Sequence, residues 1–326
     1  MIKKSTAVSL CLASVLCAAA FQNALSQEYP ARTVHVLSTF TPGSVADGAI
    51  RMVAQKMSAS MGQPVVVEAQ SGAGGVLAAQ NLVRSAPDGY TILHAAPSTI
   101  VSAPFLQKSP PYLPLRDFTY ITRLAIATSS ILVTASLPVN TVRELINYAR
   151  AHPGKLSYAS NGVGATQHLE MELLKQKYGL DITHVPYKGG QEGLNAAAAG
   201  QIPIAFAPLA SALGQARAGK VKVLAVMSEK RYAGFPDVPS MGEQLNDYEK
   251  IPTSDEIVGP AGVPAPVVKR LNSEIVNALK MPDVVARFNQ IGFIPVGNTP
   301  EEHLAEIKRD MEIFAKGRKA AHIEPE

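Results

Sequence analysis

Val34-His35-Val36-Leu37-Ser38-Thr39-Phe40-Thr41-Pro42-Gly43-Ser44-Val45-Ala46-Asp47 decides the fold class. Val34 to Leu37 form the short β-branched and apolar run of a strand, and Pro42-Gly43 punctuates it. From Val45 the period changes, because Val45, Ala49, Val53 and Met57 recur every four residues and make one apolar stripe of a core-facing helix. Gly62 stands where a left-handed residue would close that helix. A strand over 65–67, a second helix and a strand over 91–94 follow. Such alternation predicts an α/β fold of parallel sheets joined by crossover helices.

A second series begins near Ile131, with helices expected over 142–150, 167–178, 191–199 and 209–218 and strands over 156–159, 182–185, 202–206 and 221–226. This unit is complete in itself. From Pro264 the tail reads as helical, with Val267, Leu271, Ile275 and Leu279 on one face and a long amphipathic helix over 300–319. It has too few strands to stand alone and should pack back on the first unit. The chain would then cross twice between two lobes, near 118–125 and 253–260, which is the arrangement of a hinged, Venus-flytrap molecule. The expected division is 27–125 plus 254–326 for the first lobe and 126–253 for the second.

The first 26 residues read as an export signal: Lys3 and Lys4 precede an apolar run from Ala7 to Phe21, and Ala24-Leu25-Ser26 supplies a small-x-small cleavage site. That run is shorter than the roughly 20 residues a membrane span needs. Both cysteines, Cys11 and Cys17, fall in this segment, so the mature chain is expected to hold no thiol for a disulfide, a metal or catalysis. The whole chain carries 30 basic and 26 acidic side chains, and loss of Lys3 and Lys4 leaves a net charge of +2 that is scattered along the sequence. Nucleic-acid binding has no electrostatic footprint here.

Two strand-to-helix loops could carry function. Around Thr41-Pro42-Gly43-Ser44, a helix N-terminus would offer backbone N–H groups to a carboxylate or phosphate. The same residues also fit an ordinary turn in which Gly43 gives freedom and Ser44 caps the helix. In the second lobe Ser160-Asn161-Gly162-Val163-Gly164-Ala165-Thr166-Gln167-His168 occupies the matching place, with glycines for close backbone approach and neutral hydrogen-bonding side chains. Neither this loop nor Gly72-Ala73-Gly74-Gly75 completes a dinucleotide fingerprint, since Gln167 and Leu77 replace the third glycine. The chain has no G-x-S-x-G, H-E-x-x-H or Walker A sequence, and its histidines show no metal spacing. No catalytic residue, cofactor or metal is expected.

These residues also carry a resemblance. Tyr29-Pro30, Phe40-Thr41-Pro42-Gly43, Pro64-Val65-Val66-Val67-Glu68, Gly72-Ala73-Gly74-Gly75 and Ala86-Pro87-Asp88-Gly89-Tyr90-Thr91 occur in order. Pro153-Gly154-Lys155-Leu156, Tyr158-Ala159-Ser160, Gly162-x-Gly164, His168-Leu169, Val185-Pro186-Tyr187-Lys188-Gly189 and Asp237-Val238-Pro239 continue the pattern. Over nearly all of the mature chain the sequence resembles the Bug (Bordetella uptake gene) family, the TctC-type substrate-binding proteins of tripartite tricarboxylate transporters. The resemblance implies a periplasmic, monomeric binding protein that closes on a small carboxylate and delivers it to the transporter's membrane subunits. It assigns the ligand to Phe40, Thr41, Pro42, Gly43, Ser44 and Asp47 in the first lobe and to Ser160, Gly162, Gly164, Ala165, Thr166 and His168 in the second, with Asn161 and Ala207 beside them.

Three departures bear on the ligand. Ser44-Val45-Ala46 stands where relatives continue with glycines, which narrows the first loop. Phe206-Ala207-Pro208 lacks an aspartate that could receive an ammonium group, which argues against an amino-acid ligand. Ser254-Asp255-Glu256 replaces an aromatic pair and a glycine, for which the sequence offers no physical account. The apolar replacements Val45, Ala165 and Ala207 suggest an aromatic or aliphatic dicarboxylate, with presentation of the loaded protein to a membrane sensor as the alternative to transport.

Overall fold

The computed structural model describes residues 29–324 apart from Lys188, Ala233, Asp247, Glu249 and Pro252. The expected export segment over 1–26 and both cysteines lie outside the described residues. In chain order the strands are β1 (Val34–Ser38), β2 (Val65–Ala69), β3 (Thr91–Ala95), β4 (Phe118–Ala127), β5 (Ser129–Thr134), β6 (Leu156–Ser160), β7 (Ile182–Pro186), β8 (Ile204–Pro208), β9 (Val221–Val226), β10 (Ser254–Pro260) and β11 (Phe293–Pro295). The longer helices are α1 (Val45–Met61), α2 (Val76–Val83), α3 (Val142–Ala151), α4 (Thr166–Tyr178), α5 (Gly190–Ala198), α6 (Leu209–Arg217), α7 (Ala265–Leu279), α8 (Pro282–Ile291) and α9 (Pro300–Ala320).

Two sheets form the frame, ordered β11-β4-β10-β3-β1-β2 and β7-β6-β8-β5-β9. Both are mixed rather than parallel. The strand-helix repeats do give parallel pairs, β1 with β2 and β3, and β6 with β7 and β8. The long strands where the chain passes between lobes run the other way: β10 is antiparallel to β3 and β4, and β5 is antiparallel to β8 and β9. The bodies of the two expected crossing stretches belong to the first sheet, because they pair with each other in a ladder from Ser254↔Ile126 to Pro260↔Phe118, and the passages lie at their inner ends. The chain leaves the first sheet at Thr128, between β4 and β5, and returns in the stretch that ends at Ser254.

Ala49, Val53 and Met57 of the predicted α1 stripe are buried, packed with Leu271 and Ile275 of α7 and Phe288 of α8. Val45, the fourth, is 46% exposed. Leu82 of α2 and Ile307 and Phe314 of α9 cover the sheet's other face. In the second lobe Leu145 and Ile146 of α3 and Met171 of α4 close over Tyr158, while Leu194 of α5 covers Ala159 and Ala205. Each large apolar side chain so buried contributes about 1.5–3 kcal/mol.

The tail does return to the first sheet through α7 and α8, but it does not stay there. Leu169 of α4 belongs to the same buried cluster as Ile307 and Phe314 of α9, with Ile251 between them. A Cβ at Gly317 would sit 3.0 Å from Leu169 and 3.1 Å from Ile251, so glycine is what lets α9 lie close against the second lobe.

Candidate functional site

A cavity of about 520 Å³ opens between the two sheets, and its walls are the loops that follow β1, β3, β6 and β8. Ligands of open α/β sheets bind at such strand ends, where helix N-termini converge. Phe40, Val45, Leu106, Val163, Phe206 and Phe293 give the lining an apolar body. Among the described residues, no lysine, arginine or histidine lines it, and Asp255 is its single ionisable side chain. A second cavity, of about 580 Å³, lies between α4 and α9 beside Glu170, Tyr248 and Lys319, away from the strand ends.

The first loop is largely satisfied by its own atoms. Ser44 caps α1 by accepting from the Asp47 N–H at 3.2 Å, and Gly62 ends the helix at φ 68°. Asp47 Oδ2 accepts from the Gly43 N–H and from Arg51 Nε, both at 2.9 Å. The hydrogen bond from Arg51 holds the Asp47 carboxyl below its ordinary range despite burial. Thr41, Pro42, Gly43, Ser44 and Asp47 do not line the cavity, whereas Phe40 and Val45 do. The exposure of Val45 follows from this placement: it faces the cleft instead of the core.

The second loop is arranged differently. Ala165 occupies the N-cap of α4 and has no side-chain oxygen, so no side chain caps that first turn. Gly189 at the N-cap of α5 and Pro208 at that of α6 likewise make no side-chain cap bond. Asn161, Gly164, Ala165, Thr166, Gly190 and Ala207 all line the cavity. Helix starts left uncapped present N–H donors and partial positive charge to whatever occupies the space.

Ser160, Gly162 and His168 do not line the cavity but shape its wall. Gly164 donates its N–H to His168 Nδ1 at 3.0 Å, Ser160 Oγ bonds Gly162 on both sides, and Ser160 Oγ lies 2.6 Å from His184 Nε2. The two imidazoles stack with centroids 3.9 Å apart and an interplanar angle of 11°. Burial, then the neighbouring His184, pushes His168 down to about 4. It is therefore neutral at pH 7, and a neutral Nδ1 is what the Gly164 donor requires.

The cleft floor comes from the crossing strands: Ala127, Thr128, Ser129, Thr253, Ser254 and Asp255. Here the structure accounts for the Ser254-Asp255-Glu256 departure. Glu256 is fully buried and receives Arg123 Nε at 3.1 Å, His303 Nε2 at 2.7 Å and Ser254 Oγ at 2.6 Å. Arg123 also meets Glu306 at 2.9 Å and Asp310 at 2.5 Å, so one network ties β4 and β10 to α9. Asp255 points the other way and bonds His94 Nε2 at 3.1 Å, while His94 Nδ1 lies 3.2 Å from Ser38 Oγ and the Phe40 ring rests against the imidazole. Sequence reasoning missed the floor, and the unexplained acidic pair was the one signal that could have found it.

The description "Tripartite tricarboxylate transporter family receptor" matches residues 49–312. The chain belongs to this family. A UPF0065 protein of Bordetella pertussis is 34% identical over 286 residues, 87% of this chain and 88% of that protein. Protein BugT of the same organism is 30% identical over 290 residues, 88% of each. Among solved structures, an R. palustris protein described with adipate is 30% identical with a TM-score of 0.79, covering 92% of this chain and all of that one. MatC from Rhodopseudomonas palustris with bound malate is 28% identical with a TM-score of 0.72, over 90% of this chain and all of its own. Periplasmic binding protein BugD is 31% identical with a TM-score of 0.75, over 91% of this chain and all of BugD. The family's members are substrate-binding proteins and not enzymes, and this receptor shares their two-lobed α/β fold.

Proposed function

We propose that this receptor captures a small organic carboxylate outside the cytoplasm and delivers it to the membrane subunits of a tripartite tricarboxylate-type transporter. The observation that carries the reading is the pair of helix starts without a side-chain cap, at α4 and α5, facing a cleft with no basic side chain among its described lining. Backbone donors and helix dipoles hold an anion without performing chemistry on it. The apolar lining suits a carboxylate with an aliphatic or aromatic body, and the adipate- and malate-bound relatives support a small organic carboxylate. The ligand contacts fall to Phe40, Asn161, Gly164, Ala165, Thr166 and Ala207, while Thr41, Pro42, Gly43, Ser44, Asp47, Ser160, Gly162 and His168 fix the loops that carry them. The closing bodies follow the two sheets: the first expected lobe carried on through Ala127 together with 254–326, and the second from Ser129 to 253.

A thermal-shift screen of the chain from Gln27 against aliphatic and aromatic mono-, di- and tricarboxylates, with sugars as controls, tests this reading. A ligand that binds the folded state alone raises the melting temperature by mass action, so at least one carboxylate should do so and the sugars should not. A flat response to every carboxylate at millimolar concentration would refute it.

A further inference from the structure

Asp255 is the unusual element of this cleft. Its side chain is 5% exposed, it lines the cavity, and it stands among carbonyl, hydroxyl and apolar groups with no arginine or lysine beside it among the described lining residues. Oδ2 lies 3.1 Å from His94 Nε2. Ser129 also lines the cavity with a buried Oγ that has no partner. A buried hydroxyl left unmatched on the cavity wall is costly unless something that enters the cavity satisfies it.

His94 Nε2 faces Asp255 Oδ2 at 3.1 Å and its Nδ1 faces Ser38 Oγ at 3.2 Å, so both ring nitrogens are engaged behind the wall and the Asp255 carboxyl is the ionisable group the floor presents to the cavity. The cleft thus has two unlike ends. The uncapped starts of α4 and α5 favour an anion, while the β10 floor repels one and favours a donor or cation. A second carboxylate placed at the floor would face the Asp255 carboxyl, whose basic neighbour His94 is already engaged with it and does not line the cavity.

We infer that the ligand is a carboxylate which also carries a cationic or strongly hydrogen-bond-donating nitrogen, received by Asp255 and Ser129 at the cleft floor. This deepens the carboxylate-capture reading and rests on it. It also reverses the expectation drawn from Phe206-Ala207-Pro208: the acid absent from the end of β8 is supplied by β10. The side chains between the two ends, Phe40, Phe206 and Phe293, set the apolar body that joins carboxylate to nitrogen.

Matched pairs test the inference, since each pair keeps chain length or ring and exchanges a carboxylate for an aminoalkyl end. Calorimetry with the wild type compares 4-aminobutanoate with succinate, 5-aminopentanoate with glutarate, 6-aminohexanoate with adipate, and 4-(aminomethyl)benzoate with terephthalate. In the best-fitting pair the amino member should bind about 10- to 100-fold more tightly. Asp255→Asn, which keeps an acceptor for His94, should erase that preference without weakening the dicarboxylate. Dicarboxylates binding as well as or better than their amino partners in the wild type, or an Asp255→Asn effect equal on both members, would overturn the inference while leaving carboxylate capture intact. Failure of every member of both series to bind would overturn both.

Discussion

His168 acts in the wall of this receptor's cleft as a hydrogen-bond acceptor. Its Nδ1 takes the Gly164 N–H and so fixes the glycine loop beneath the start of α4. Because its folded pKa, about 4, lies below the ordinary 6.5, the unfolded chain binds the extra proton in the intervening range. The stability His168 supplies is therefore complete above pH 6.5 and is lost as pH falls toward 4. The expected loss is roughly 1–3 kcal/mol. Urea unfolding of wild type and His168→Gln should show a stability difference that shrinks from pH 7 to pH 4; a constant difference would mean that the ring's protonation is not linked to folding. The sequence named this histidine but not the His184 ring stacked on it, because that contact exists only once β7 lies alongside β6. The cap of Ser44 on α1, by contrast, was legible, because a cap is a bond between residues three apart.

At the scale of elements, β4 and β10 pair along their length and are pinned to α9 by Arg123. Arg123 bridges the buried carboxylates of Glu256 and Asp310 and the half-buried Glu306, and His303 adds a second partner to Glu256. Burial raises Asp310 to about 6 even beside this guanidinium. Arg123→Met would leave buried carboxylates without their counter-charge, and the expected cost is about 3–5 kcal/mol. A fall in urea midpoint at pH 7 that is mostly recovered at pH 5, where the acids can take up protons, is the expected signature. An unchanged midpoint would show that the network contributes only specificity. None of this could be read from the chain: the helices and most strands were legible from periodicity, but Arg123, Glu256 and Asp310 are far apart in sequence and look like ordinary surface charges.

For the molecule as a whole, the consequence is a hinge with a constrained side. Thr128 and the stretch ending at Ser254 join the lobes, while α9 lies against α4 through Gly317 and Leu169. Opening is thus expected at the cleft mouth, away from the α4–α9 contact. A bound carboxylate should lower the radius of gyration in small-angle scattering; saturating ligand with no change would mean that the lobes are fixed. Sequence alone determined the strand-helix alternation, the two units, the Ser44 cap and the family, because each depends on local periodicity or on motifs read in order. The antiparallel course of β4, β5 and β10, the bridging role of α9, and the acidic floor at Asp255 were decided only by the tertiary structure. The reason is that a strand's direction and a charged side chain's burial depend on where distant segments pack, and no local pattern records that.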